Sequence, residues 1–231
     1  VCESANSYQL QYNYDYISAN PFINSYGIPL KKSFKGCDKE WKPTDAFREI
    51  INAWEDHWDE ESDTVHPKDL TKTLLEHESS RPTIVHYIQP HRPYITCPEE
   101  GKLWNARERV TGTEETSLKR KILDKTRPLW SPVFSKLPDK VKWVVKDIFN
   151  VQQDHFGQLV REIGEERVKE HYRKDLRLAL GEIQRFVDEN PDKKIVITAD
   201  HGELLGENGK WGHELGSSEK KLREVPWLEI R

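Results

Sequence analysis

The chain has 231 residues, 33% charged and 35% hydrophobic, with a formal net charge of −4. Near-balanced charge argues against nucleic-acid binding, which usually shows as a strongly basic patch. No apolar run reaches the roughly 18 residues of a membrane span and the first residues do not resemble a signal peptide, so a soluble, cytoplasmic protein is expected. A chain of this length buries roughly 70% of its unfolded surface, which predicts one domain over residues 1–231 around one substantial core.

Cys2, Cys37 and Cys97 are widely separated and odd in number, forming neither a disulfide framework nor a C-x-x-C metal knuckle. Reduced thiols are the simplest account, with one disulfide plus a free thiol as the alternative. The sequence contains no methionine, which a natural start supplies. It is therefore expected to be incomplete, above all at its amino end.

In chain order, Ser4 to Gln11 predicts a short helix capped by Ser4. Tyr14 to Ala19 predicts a strand ended by Asn20-Pro21, because proline breaks ladder pairing and restricts the residue before it. Asn20 is a turn former here, with a place facing a site as the second possibility. Residues 27–43 predict a surface connection. Thr44 or Asp45 then caps a helix to about Trp58, with Phe47, Ile50, Ile51 and Trp54 at helical spacing and His57 in solvent. Pro67 opens a second helix to about Glu78 whose buried face is Leu70, Leu74 and Leu75.

Thr83 to Ile88 predicts a buried strand, and the following Gln89-Pro90-His91-Arg92-Pro93 is extended because pre-proline residues disfavour the helix. A histidine on a proline-stiffened loop at a strand's end suits catalysis, although a histidine next to proline is more often structural. His86, inside the strand, reads as a packed core histidine first and a substrate-binding residue second. Residues 95–150, with Trp104, Trp130 and Trp143, predict a helical insertion: a substrate-shaping lid or plain surface helices. From about Val151 to Asn190 the pattern is helical, with an apolar stripe of Tyr172, Leu176, Leu180, Ile183 and Val187 ended by Asn190-Pro191.

That helix leads into Ile195 to Thr198, a β-branched run that suits a strand buried on both faces of a parallel sheet. Asp200 and His201 follow at its carboxyl end, the edge where open α/β sheets place their ligands. A hard oxygen beside a neutral imidazole nitrogen suits zinc or manganese, and calcium less naturally. The plain alternative is that Asp200 caps a helix begun at Glu203 to Leu205 while His201 is an ordinary polar neighbour. His213 is a further candidate, brought back by a loop whose Gly202, Gly206, Gly209 and Gly212 permit close turns.

T-A-D-H-G-E-L-L-G-E-N-G-K-W-G-H, followed by L-R-E-V-P-W-L-E-I, resembles the last metal-binding segment of the sulfatase and phosphoethanolamine-transferase branches of the alkaline phosphatase superfamily. The resemblance extends over Tyr172 to Ile230. P-T-I-V-H-Y-I-Q-P-H-R-P-Y resembles the H-x-x-x-P-H-x-P-Y strand and loop of the sulfatases. It implies a three-layer α/β/α fold around a mainly parallel sheet, a metal held by Asp200 and His201, and a His91 that contacts the transferred group. Many sulfatases carry a lysine at the position of His213, where phosphoethanolamine transferases carry a histidine, which weighs against sulfate.

The expected protein is thus a hydrolase or transferase of phosphate or sulfate esters, on a small-molecule, glycan or lipid substrate. Its cofactor is a divalent cation: zinc, manganese or calcium. His91 and His213 act as catalytic donors, Lys210 and His86 line the substrate, and Lys210 is alternatively a solvated surface lysine. No C-x-P-S-R sulfatase signature is present, Cys2 does not match it, and Ser4 and Ser7 are unsupported as nucleophiles. The rival expectation is a degenerate, non-catalytic binding module of the same fold. A third is an interaction protein that uses the Trp-rich region as its contact surface.

Overall fold

The computed structural model describes residues 12–28, 42–97, 155–213 and 217–230. The helix expected at 4–11 and nearly all of the expected insertion at 95–150 lie outside them. So do Cys2, Cys37 and most of the 27–43 connection; Cys97 is a buried thiol.

Strand β1 (Tyr12–Ser18) is the centre of a three-stranded parallel sheet, between β2 (Phe47–Asn52) and β5 (Thr83–His86). With a neighbouring strand on each side, Asp15 to Ala19 are buried. Register places Ser18 opposite both Asn52 and His86, so the three strands end together at their carboxyl edge. Asn20 then makes the turn, its side-chain oxygen accepting from the Phe22 amide at 3.0 Å while the Ser18 hydroxyl donates to the Asn20 carbonyl at 2.7 Å.

Residues 44–58 correct the expected helix. A short 3-10 turn at Pro43–Asp45 leads into β2, and only Ala53–His57 (α1) is helical. Phe47 and Ile50 fit a strand as well as a helix over so short a run, and pairing with β1 decides. Phe47 lies against Tyr16, ring centroids 4.4 Å apart. A small antiparallel pair follows, β3 (Trp58–Asp59) with β4 (Thr64–Val65), then α2 (Pro67–Glu76), opened by proline as expected. Its inner face is Leu70 and Thr71 with Leu74 beside them; Leu75 is exposed, one position off the expected stripe.

Beyond α2 the chain turns three donors onto the one carboxylate inside the sheet. Asp15 is fully buried and accepts from Arg81 Nε at 2.6 Å, Ser79 Oγ at 2.5 Å and His77 Nε2 at 3.2 Å. Burial raises its carboxyl, but these hydrogen bonds outweigh burial and hold it below its usual value.

Helix α3 (His155–Ile163) and helix α4 (Glu165–Glu189) are separated by Gly164, whose φ of 84° ends the first. Helix α4 runs 25 residues through Gly181 and stops where the Asn190 side chain donates to the Phe186 carbonyl at 2.9 Å. Its buried line is Val168, His171, Asp175, Ala179 and Phe186, whereas Leu180 is 43% exposed. The expected stripe is thus turned toward two polar residues. Two cores result: Ile17, Ala19, Ala53, Val65 and Leu70 beside the sheet, and Tyr94, Cys97, Leu159 and Val168 against α3 and α4.

Strand β6 (Ile195–Thr198) corrects the expectation of a doubly buried parallel strand. It pairs antiparallel with β9 (Trp227–Ile230), and Val196 is 47% exposed. Residues 203–205 form no helix: β7 (Leu204–Leu205) pairs with β8 (Trp211–Gly212). The described residues are therefore mixed α/β with a parallel sheet, helices and no closed barrel, and none of their helices is long and apolar enough to cross a membrane.

Candidate metal centre

The candidate centre is built from the loop after β5 and the excursion between β6 and β9. In the first, Gln89-Pro90 and Arg92-Pro93 are cis, and the His91 amide donates to the Ile88 carbonyl at 2.8 Å. His91 Nδ1 lies 2.5 Å from the Arg92 carbonyl, an acceptor only, so Nδ1 carries the proton and Nε2 the lone pair. In the second, His201 Nδ1 donates to the Gly202 carbonyl at 2.9 Å, which fixes the same tautomer. His213 Nδ1 meets both oxygens of Glu203, at 3.0 and 3.2 Å. Each imidazole thus has one nitrogen held by an oxygen, the arrangement that orients metal-ligating histidines.

One donor atom from each of His91, Glu203 and His213 lies within 4.8 Å of the other two. Their rings crowd together: His201 to His213 at 4.1 Å and His91 to His213 at 5.1 Å between centroids. Asp200 stands beside them, 66% exposed, with Oδ2 3.7 Å from His201 Nε2 and 3.9 Å from His86 Nε2. His86 closes that side from the end of β5, its Nδ1 2.7 Å from the Tyr16 hydroxyl. Four of the anticipated residues, Asp200, His201, His91 and His213, therefore share one patch, with His86 on its border. Lys210 does not join them; its ammonium pairs with Glu219 at 2.5 Å on the surface.

Glu203 is the residue that sequence reasoning missed. Its signal is the D-H-G-E run, in which the plain alternative for Asp200 makes Glu203 the start of a helix.

Backbone packing explains the glycines. A Cβ on Gly202 would come within 1.9 Å of the Lys221 carbonyl oxygen, so the chain beside His201 lies directly on residues 221–222. Gly212, at φ 79°, passes Phe156 so closely that a Cβ would meet its ring at 3.2 Å. The same ring carries the Arg92 guanidinium at 4.6 Å, so Phe156 touches both loops of the centre.

The environments separate the histidines. Burial lowers the pKa of His91 and of His86, whereas the hydrogen bond to Glu203 raises that of His213. Burial, then the Asp200 charge, raises the Tyr16 phenol. Two imidazoles and a carboxylate suit zinc, which takes three such ligands and leaves a fourth place for water or substrate. No protein-family model, no curated protein and no solved structure matches the chain.

Proposed function

We propose that the chain is a metal-dependent hydrolase or transferase of phosphate or sulfate esters, on an alkaline-phosphatase-like three-layer α/β/α fold. The observation that carries this reading is the convergence of His91, Glu203 and His213 within 4.8 Å, beside Asp200 and His201. The resemblance of the 83–94 and 198–213 segments to sulfatases and phosphoethanolamine transferases supports the same reaction class.

The cation's holders are drawn from His91, Glu203 and His213, whose donor atoms converge, and from Asp200 and His201 beside them. When bound, a divalent cation such as zinc, manganese or calcium neutralises charge on the ester and lowers the pKa of a hydroxyl nucleophile. His91, kept neutral by burial, offers Nε2 as an acceptor or ligand. His213, its Nδ1–H held by Glu203, offers Nε2 as a ligand when neutral and as a donor toward an ester or leaving-group oxygen when protonated. Environments that push neighbouring groups apart in this way divide acid from base roles.

The test is turnover of a nitrophenyl phosphate monoester, a diester and a sulfate by the purified chain with added zinc, manganese or calcium. Metal-dependent release of nitrophenol, abolished in Asp200→Asn, is expected. An unaltered rate in that variant removes Asp200 from the site. Zinc binding without turnover of any ester favours the degenerate binding module instead.

A further inference from the structure

We infer that Asp175, on the inner face of α4, is a positioning residue that sets His91 against His213. This rests on the metal-centre reading for its function, though not for its geometry. Asp175 is fully buried in a helix whose exposed surface has ample room for carboxylates. An interior carboxylate is costly unless it is fully hydrogen-bonded. Its hydrogen bonds go to one loop. Oδ2 accepts from the Ile95 amide at 2.7 Å, and Oδ1 accepts from the Thr96 amide at 3.2 Å and the Thr96 hydroxyl at 2.8 Å. Thr96 has one hydroxyl proton and gives it to Asp175, so His171 Nδ1, 2.9 Å away, donates to the Thr96 oxygen. Tyr94 stacks on that His171 ring, centroids 6.4 Å apart.

These contacts fasten the loop a few residues past His91. On the other side Gln89 Nε2 donates to Thr64 Oγ1 and to the Val65 carbonyl, both at 3.2 Å. His91 is therefore suspended between an anchor on β4 and an anchor on α4. In between, the Arg92 guanidinium rests on Phe156 and Tyr94 is buried; Asp175 fixes the far end of that stretch. Positions fixed in this way govern how well a ligand set is preorganised.

The ring contact is measured in metal-free protein as nuclear Overhauser effects between His91 and His213 ring protons. They should be present in the parent chain and in the control Ala179→Gly, on the same helix face, and lost in Asp175→Asn. Asp175→Ser, whose short side chain cannot span both loop amides, carries the same test should Asp175→Asn fail to fold. Persistence of the effects in the folded variant overturns the inference. In zinc titrations Asp175→Asn should bind about tenfold more weakly, and should add nothing in a His91→Ala background. An equal loss in both backgrounds also overturns it. If the parent chain binds no zinc, the metal reading falls while the ring-proton result still decides the role of Asp175.

Discussion

At the scale of single residues, the centre depends on Glu203 and on a glycine that cannot be enlarged. The hydrogen bond that His213 Nδ1–H donates to Glu203 raises the His213 pKa, so Glu203→Gln should return that imidazole toward its ordinary range in an NMR titration. The same variant should weaken zinc binding by about tenfold or more. In Gly202→Ala the new methyl meets the Lys221 carbonyl oxygen at 1.9 Å, and backbone cannot swing aside as a side chain can. Denaturant unfolding of that variant should show a loss of about 1–3 kcal/mol. The sequence marks Asp200, His201, His91 and His213 as candidates through a strand end, a proline-stiffened loop, a glycine-rich return and the family resemblance. It passes over Glu203 and Asp175 because a carboxylate near a helix or turn looks like surface until its partners are known.

At the scale of elements, the sheet is organised around the Asp15 carboxylate. Arg81→Ala should destabilise the fold in urea unfolding, because it strips the fully buried Asp15 carboxylate of its charged donor at 2.6 Å. Since the folded protein holds the Asp15 pKa below its unfolded value, its contribution is complete above that unfolded value. It is lost as pH falls through the folded one. The stability gap between the parent chain and Asp15→Asn should therefore stay constant above the ordinary carboxylate range and narrow as pH falls through and below it, followed by urea unfolding. Helix α4 separates what a stripe in sequence can tell from what it cannot. Leu180→Gln should change stability by no more than about 0.5 kcal/mol, because Leu180 is 43% exposed. Leu159→Ala should cost about 2–5 kcal/mol, because Leu159 is fully buried. The helix itself was legible from its period. Its inner face was not, because His171 and Asp175 are drawn inward by Thr96, a partner far away in the chain. Likewise the strand at 195–198 was legible as a strand, but an apolar run does not disclose its partner, which comes from Trp227–Ile230.

For the whole molecule, Phe156 joins the two loops of the candidate centre, carrying the Arg92 guanidinium and lying against Gly212. Zinc should accordingly raise the denaturation temperature in a concentration-dependent manner, corresponding to about 2.7 kcal/mol when free zinc is about 100 times Kd. An unchanged temperature would show that the folded state gains nothing from the ion. The β6–β9 pairing, with Thr198 opposite Trp227, ties the base of the excursion that begins at Ala199 and returns at Pro226. Asp200, His201, Glu203 and His213 consequently travel as a single cassette with a stapled neck. Lengthening its far tip alters what approaches the centre without disturbing how it is put together.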